Sequence, residues 1–249
     1  MHSESKEFNG STLHFANDPS FLLMYSPLHF RPDDSAKPDG SLALTYLASA
    51  LRENGYQVDI LDACVGNDRY DLKDTFHRKV EMPNGLIRIG LSADDIAREV
   101  ASYDVIGITS IFTAQTSRVM EVVKIIKAVD PSKLVILGGV NARYLASRFF
   151  AGGADIVCLS ESESTILQIG DVLRRGSRDF SHVSGISFVD DGRVVTTLPN
   201  VIQDLDELPV PAWDLLPLGK YWEIARPHGG GFDPENQIRY ASLMTSRGC

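Results

Sequence analysis

Apolar residues in this chain fall into short unbroken runs, separated by stretches in which they recur every third or fourth position. The clearest run is Leu134 to Asn141, Leu-Val-Ile-Leu-Gly-Gly-Val-Asn. Its branched, uninterrupted character predicts a strand covered on both faces inside a parallel sheet. The run stops at Gly138-Gly139, where side chains vanish and the backbone can be approached closely. Comparable runs occupy Phe21 to Ser26, Gln57 to Asp62, Asp104 to Ile111 (closing in Thr109-Ser110) and Asp155 to Leu159.

Helical spacing fills the gaps between these runs. Leu44, Leu47, Ala48 and Leu51 predict one helix, with Gly55 as its C-cap. Ser92 reads as an N-cap, with Asp94 and Asp95 in a first turn where the helix dipole favours them, followed by Ile96, Ala97 and Val100. Val119, Val122, Val123 and Ile126 mark a helix from about Ala114 to Ala128 that ends before Pro131. Leu145 and Phe149 mark a short helix closed by Gly152-Gly153, and Ile166, Ile169 and Leu173 mark one that Gly176 ends.

Strands alternating with helices predict an α/β domain over residues 21–180: a doubly wound, five-stranded parallel sheet, flavodoxin-like, in the order 2-1-3-4-5. Residues 1–20 read as a flexible arm. A long loop holding Pro27, Pro32, Pro38 and Gly40 follows the first strand, and Ala63 to Leu91 reads as an insertion without regular period. Gly185 to Val189 and Arg193 to Thr197, joined by Asp190-Asp191-Gly192, predict a hairpin. The hairpin and a Pro-rich linker make up residues 181–238, and Arg239 to Leu243 predicts one more strand in a final segment, 239–249.

Composition narrows the partners. The 249 residues are 43% hydrophobic and 23% charged, ordinary for a globular protein, with a net charge of −9. That balance argues against nucleic acid, which needs a basic surface. No apolar run approaches the roughly 18 residues that cross a bilayer, and the first twenty residues hold no signal-peptide core, so no membrane partner is expected. Cys64, Cys158 and Cys249 are too few and too scattered for a disulfide framework, which points to a cytoplasmic compartment. Cys64 and Cys158, in or beside strands, read as buried small hydrophobes.

In the 2-1-3-4-5 order the switch point lies between the first and third strands, so a ligand belongs over Ser26 to Gly40, Thr109-Ser110 and Gly138-Gly139. Flavin mononucleotide, a phosphorylated receiver aspartate and cobalamin all use this architecture. The receiver needs a carboxylate where this chain has Thr109 and Ser110, and a dinucleotide site needs a Gly-x-Gly-x-x-Gly that Ser26 to Arg31 lacks. A flavin site stays open, although no phosphate-cradling run of Ser, Thr and Gly follows the first strand.

Several short motifs, in order, carry a resemblance. Gly107-Ile-Thr-Ser110, Ile136-Leu-Gly-Gly-Val140 and Ser160-Glu-Ser-Glu163 resemble the N-terminal cobalamin-binding domain of the cobalamin-dependent radical SAM enzymes. Asp204 to Pro217 followed by Tyr221 is similar to that family's interdomain linker, and Thr245-Ser-Arg-Gly-Cys249 to the opening of its cluster motif. The resemblance implies cobalamin bound at Ser26, Pro38, Asp39, Gly40, Thr109, Ser110, Gly138, Gly139, Val140, Asn141, Ser160, Glu161 and Ser162. Within that set it places the Ser110 hydroxyl on the nucleotide tail, Gly138 and Gly139 where the tail passes the backbone, and Pro38-Asp39-Gly40 with Ser160 to Glu163 along the corrin. Ser160 and Ser162 stand where the family has glycines. Valine at Gly139 is therefore expected to abolish binding and leave the fold alone.

The cobalt-ligating Asp-x-His-x-x-Gly loop of other cobalamin domains is absent, and the nearest histidine is His29. The resemblance implies base-off cobalamin with no histidine below the cobalt. It also implies a parent methyltransferase that binds a four-iron four-sulfur cluster and S-adenosylmethionine in a radical SAM domain, and that passes a methyl group by way of cobalt to a substrate radical. Cys249 is the first cluster cysteine on this reading, the other two lying beyond the chain, and one thiolate cannot hold a cluster. The chain is thus expected to be a cobalamin-binding half, cut in the laboratory or by an interrupted gene, that binds cobalamin and catalyses nothing alone. The alternative from another class is a non-catalytic flavodoxin-like module using the same crevice for another ligand such as a flavin.

Overall fold

The computed structural model describes residues 18–34, 36–38, 40–199, 201–202, 204–224, 239–244 and 246–247. In chain order the elements are β1 (Phe21–Tyr25), β2 (Leu28–Phe30), α1 (Leu42–Glu53), β3 (Val58–Asp62), β4 (Val80–Glu81), β5 (Ile87–Ile89), α2 (Ala93–Val100), β6 (Val105–Thr109), α3 (Thr116–Val129) and β7 (Leu134–Gly138). There follow α4 (Val140–Tyr144), α5 (Ala146–Ala151), β8 (Ile156–Cys158), α6 (Glu163–Arg174), β9 (Ile186–Asp190), β10 (Arg193–Thr196) and α7 (Leu218–Ile224).

The five strands read from the apolar runs pair in parallel as β3-β1-β6-β7-β8, the predicted order. The sheet is wider than expected, with seven strands, because the hairpin joins it: β9 runs antiparallel to β8, and β10 forms the edge. β8 is only three residues long, and β9 satisfies the N–H and C=O groups of its outer edge. Asp191 and Gly192 both take positive φ at the hairpin tip, 44° and 75°, which matches the twist of the flanking strands in a two-residue turn.

Two further expectations change. Part of the insertion, β4 and β5, pairs with β2 from the long loop as a three-stranded antiparallel sheet. Residues 239–244 form no strand. Ser92 caps α2 as read, its hydroxyl accepting the Asp95 N–H while the Asp95 carboxylate accepts the Ser92 N–H.

Side-chain alternation gives the large sheet two cores. Leu22, Met24, Ile106, Ile108, Val135 and Leu137 pack against α2 and α3. Phe21, Leu23, Ile60, Ile136 and Ile156 face α1 and α6. The linker is docked rather than free. The Ala212 N–H donates to Thr45 O (3.1 Å), the Ser49 hydroxyl to Val210 O (2.5 Å), and Arg52 pairs with Asp214 (2.6 Å). Buried Tyr221 donates to Asp62 (2.9 Å), and Lys220 Nζ donates to Val65, Asn67 and Tyr70 carbonyls.

Candidate functional site

Register between strands decides where the sheet is open. On the α1/α6 face, Leu23, Gly107, Ile136 and Ile156 form one cross-strand row, and Tyr25, Thr109 and Gly138 form the row nearer the carboxyl ends. Two glycines on adjacent strands leave a trough between them. A Cβ at Gly107 would sit 2.8 Å from Leu23 Cδ2, and one at Gly138 would meet nothing within 4 Å. The trough continues as a slot of about 610 Å³ under the N-terminal half of α1 (Leu42 to Leu47), bounded by Cys158, Glu163 and Ile166. Its walls are mostly apolar, with Thr109, Ser160 and Ser162 among its lining residues, the Ser162 hydroxyl donating to Ser160 O (2.9 Å).

The residues expected to bind a ligand divide in two. Thr109, Gly138, Gly139, Val140, Ser160, Glu161 and Ser162 line the slot together. Ser26, Pro38, Gly40, Ser110 and Asn141 do not line it, while Asp39 and Cys249 lie outside the described residues. Ser26 is fully buried and its carbonyl accepts from Cys64 Sγ (3.4 Å). Pro38 is buried as well. Gly40, at φ +80°, has Leu216 and Tyr221 of the linker against it. The Ser110 hydroxyl is turned toward α3, accepting from Asn141 Nδ2 (2.8 Å), which also reaches Thr116 (3.0 Å).

Gly139 carries a structural duty that the sequence did not separate from a binding one. Its φ is +96°, and a Cβ there would lie 2.6 Å from Ser110 O. Valine at that position would break the backbone junction of β6 and β7, so the expected harmless block is corrected. Gly138 is the position where bulk would enter the slot alone.

Charge at the mouth is organised by a residue that the sequence reading quoted only within the Thr245 to Cys249 motif and gave no role. Arg247 pairs with Glu163 (2.5 Å), approaches Glu161 (3.8 Å) and lies 5.0 Å over the Tyr46 ring, joining α1 to the β8–α6 turn. Glu161 also accepts the Ile202 N–H (2.8 Å). Met244 and Ser246 complete that side of the slot. Gly107 was quoted only as part of a motif, yet a lone glycine within an otherwise branched strand is itself a signal of close approach. Arg247 had no comparable signal.

Burial pushes the Cys158 thiol up to about 11, although a hydrogen bond with Ser162 works the other way. Cys64, wholly buried, is pushed well above its ordinary value, first by burial and then by Asp62. Both are free cysteines. His29 does not line the slot. It sits on β2 opposite Arg88 of β5, and burial, then Arg118 and Arg88, push its pKa down to about 4. Among the described residues no cluster of three His, Cys, Asp or Glu could hold a metal ion, and no helix is long and apolar enough to cross a membrane.

Comparison with known proteins bears on this site. The B12 binding domain family matches residues 40–169. The chain is 30% identical over 236 residues to cytidylyl-2-hydroxyethylphosphonate methyltransferase of Streptomyces wedmorensis, covering 84% of this chain and 42% of that protein. It is 29% identical over 213 residues to the uncharacterized methyltransferase PH0819 of Pyrococcus horikoshii, covering 84% of this chain and 38% of that protein. The chain therefore spans about two fifths of the length of these curated relatives. In fold it is similar to OxsB, a cobalamin-dependent S-adenosylmethionine radical enzyme solved with aqua-cobalamin bound, with a TM-score of 0.63, 20% identity, and coverage of 82% of this chain and 25% of that one.

Proposed function

The chain belongs to the B12-binding domain family, and from that premise we propose that it is the cobalamin-binding part of a cobalamin-dependent radical SAM methyltransferase, holding the cofactor base-off with its nucleotide tail in the slot beneath α1. The observation that carries the reading is the trough at Gly107 and Gly138, a cradle that side chains would fill, opening at the carboxyl edge of a parallel sheet.

The residues present fit the group. Leu23, Gly107, Ile136 and Leu47 offer an apolar slot to a planar base, and Thr109, Ser160 and Ser162 add polar lining for the periphery of a corrin. A tail held between sheet and helices would be kept from the metal, and His29, outside the slot, lines none of the wall that would hold the cofactor. Cobalamin, when bound, supplies a cobalt able to carry a methyl group. The chain's own residues bind and orient it: Gly138 leaves the entrance open, and α1 and α6 exclude water from the slot walls.

The methyltransferase relatives and the OxsB fold support a parent that also uses S-adenosylmethionine and a four-iron four-sulfur cluster carried by a radical SAM domain. Cys249 is the proposed first ligand of that cluster. Free, deeply buried Cys64 and Cys158 fit a reducing cytoplasmic setting.

Gel filtration after addition of hydroxocobalamin tests the binding. One equivalent should co-elute with the 249-residue chain. After reduction to the cob(II)alamin state, its electron paramagnetic resonance should lack nitrogen superhyperfine splitting. A chain that elutes without cofactor would sink the assignment, and clear nitrogen splitting would sink the base-off part alone.

A further inference from the structure

One wall of the slot comes from far along the chain. Met244, Ser246 and Arg247 line it beside Glu161, Glu163 and Tyr46. The segment 239–247 that carries them is tied near both ends. Trp222 Nε1 donates to Tyr240 O (2.8 Å), and Arg239 lies 5.4 Å over the Trp222 ring. Arg247 pairs with Glu163 (2.5 Å), approaches Glu161 (3.8 Å) and covers the Tyr46 ring (5.0 Å). Between the ties, Leu243 and Met244 are 74% and 51% exposed, so little apolar burial holds the middle. The slot keeps about 610 Å³ with this segment in place, within the range of small-molecule sites. The segment walls the slot and does not plug it.

Charge makes Arg247 the decisive tie. The side chains of Arg247 and Glu163 are 16% and 8% exposed, so water solvates neither well alone. Removing one partner of such a pair strands the charge of the other. No other cation pairs with Glu161 or Glu163 among the described residues. Without Arg247 two carboxylates would face the slot and repel an anionic phosphodiester entering it.

We propose that Arg247 is a positioning residue: it seats the segment 239–247 as a wall of the slot, and cobalamin binding and that seating favour each other. The inference rests on the cobalamin reading above. Cofactor in the slot lies against the wall that this segment forms and so holds the segment down. By reciprocity the seated segment tightens the cofactor by the same factor. In sequence only Gly248 separates Arg247 from Cys249, the proposed first cluster ligand. A loaded slot thereby fixes where the cluster segment starts.

Limited chymotrypsin digestion of the 249-residue chain, read by mass spectrometry, tests the seating, because cleavage after Tyr240, Leu243 or Met244 requires the segment to leave its seat. Saturating hydroxocobalamin should slow that cleavage at least tenfold. In the cofactor-free chain, Arg247→Met and Glu163→Gln should each quicken it at least fivefold. Arg247→Lys, which keeps the charge, should quicken it less than twofold. Arg247→Met and Glu163→Gln should also lose at least tenfold in cobalamin affinity, mainly through faster release, and the double variant should lose no more than the weaker-binding single one. Arg52→Met breaks the linker's pair with Asp214 and should stay within twofold of the unaltered chain in both measurements. Cleavage that ignores Arg247→Met would overturn the seating and leave the cofactor reading standing. Cleavage that hydroxocobalamin fails to slow, losses that add in the double variant, or an equal loss in Arg52→Met would overturn the coupling through Arg247. A chain that takes up no hydroxocobalamin would overturn the cofactor reading and the coupling with it.

Discussion

The two faces of the central sheet are built from the same five parallel strands and come to opposite ends. Toward α2 and α3, each cross-strand row is filled: Leu22, Ile106 and Val135, then Met24, Ile108, Leu137 and Val157, all nearly or wholly out of solvent. Toward α1 and α6 the corresponding rows are interrupted by Gly107 and Gly138, and a slot remains. One face spends its side chains on cohesion and the other withholds two of them. A parallel sheet buried on both sides thus makes a ligand cavity by omission at particular registers, without any change of backbone path.

That contrast predicts that equal changes in volume on the two faces have different consequences. The largest effect belongs to the filled face. Ile106→Ala removes a fully buried side chain that does not line the slot and should cost about 2–5 kcal/mol of stability, read from chemical denaturation. The folded fraction should still bind cobalamin with unchanged affinity; a parallel loss of affinity would show that the two faces are not separate.

Next in size is the reverse change on the open face. Gly138→Val adds bulk where a Cβ meets nothing within 4 Å and no positive φ is required. Affinity for hydroxocobalamin should fall roughly a hundredfold, about 2.7 kcal/mol, with no fall in the unfolding midpoint. Tight binding by this variant would mean that the slot is not where the nucleotide tail goes. Gly139→Val serves as the contrast, since it should lose the fold along with the ligand.

The difference between those neighbouring glycines also marks how far the sequence could be read. The strands of the sheet were legible because a strand covered on both sides is a short run of branched apolar residues, as in Leu134 to Gly138. α1, α3 and α6 were legible from helical spacing. β2, β4 and β5 were not, being two or three residues each, too short to show a period. The hairpin could be seen at Asp191-Gly192, but its docking on β8 depends on an edge that no local pattern encodes. Within the site, Gly138-Gly139 stood out as a pair, while the division of labour between them depends on φ and on the approach of Ser110. Glu163 and Arg247 meet across 84 positions, a contact that no local pattern announces.

The smallest predicted effect concerns the two described thiols, one on the slot wall and one sealed away from it. Burial pushes Cys158 to about 11, so below that pH its protonated form dominates. The reactive thiolate near pH 8 is therefore roughly a hundredfold scarcer than for an ordinary thiol. Alkylation by iodoacetamide, followed by peptide mass spectrometry, should be slow at Cys158 and should quicken about tenfold per pH unit until the thiol ionises. Because Cys158 lines the slot, cobalamin should slow it further, at least tenfold. Cys64, fully buried with its Sγ donating to Ser26 O, should be inert with or without the cofactor. Equal alkylation of Cys158 in the presence and absence of cobalamin would place the cofactor elsewhere on the sheet edge, because a tail lying in the trough beside Gly138 must cover the wall that this thiol helps to form.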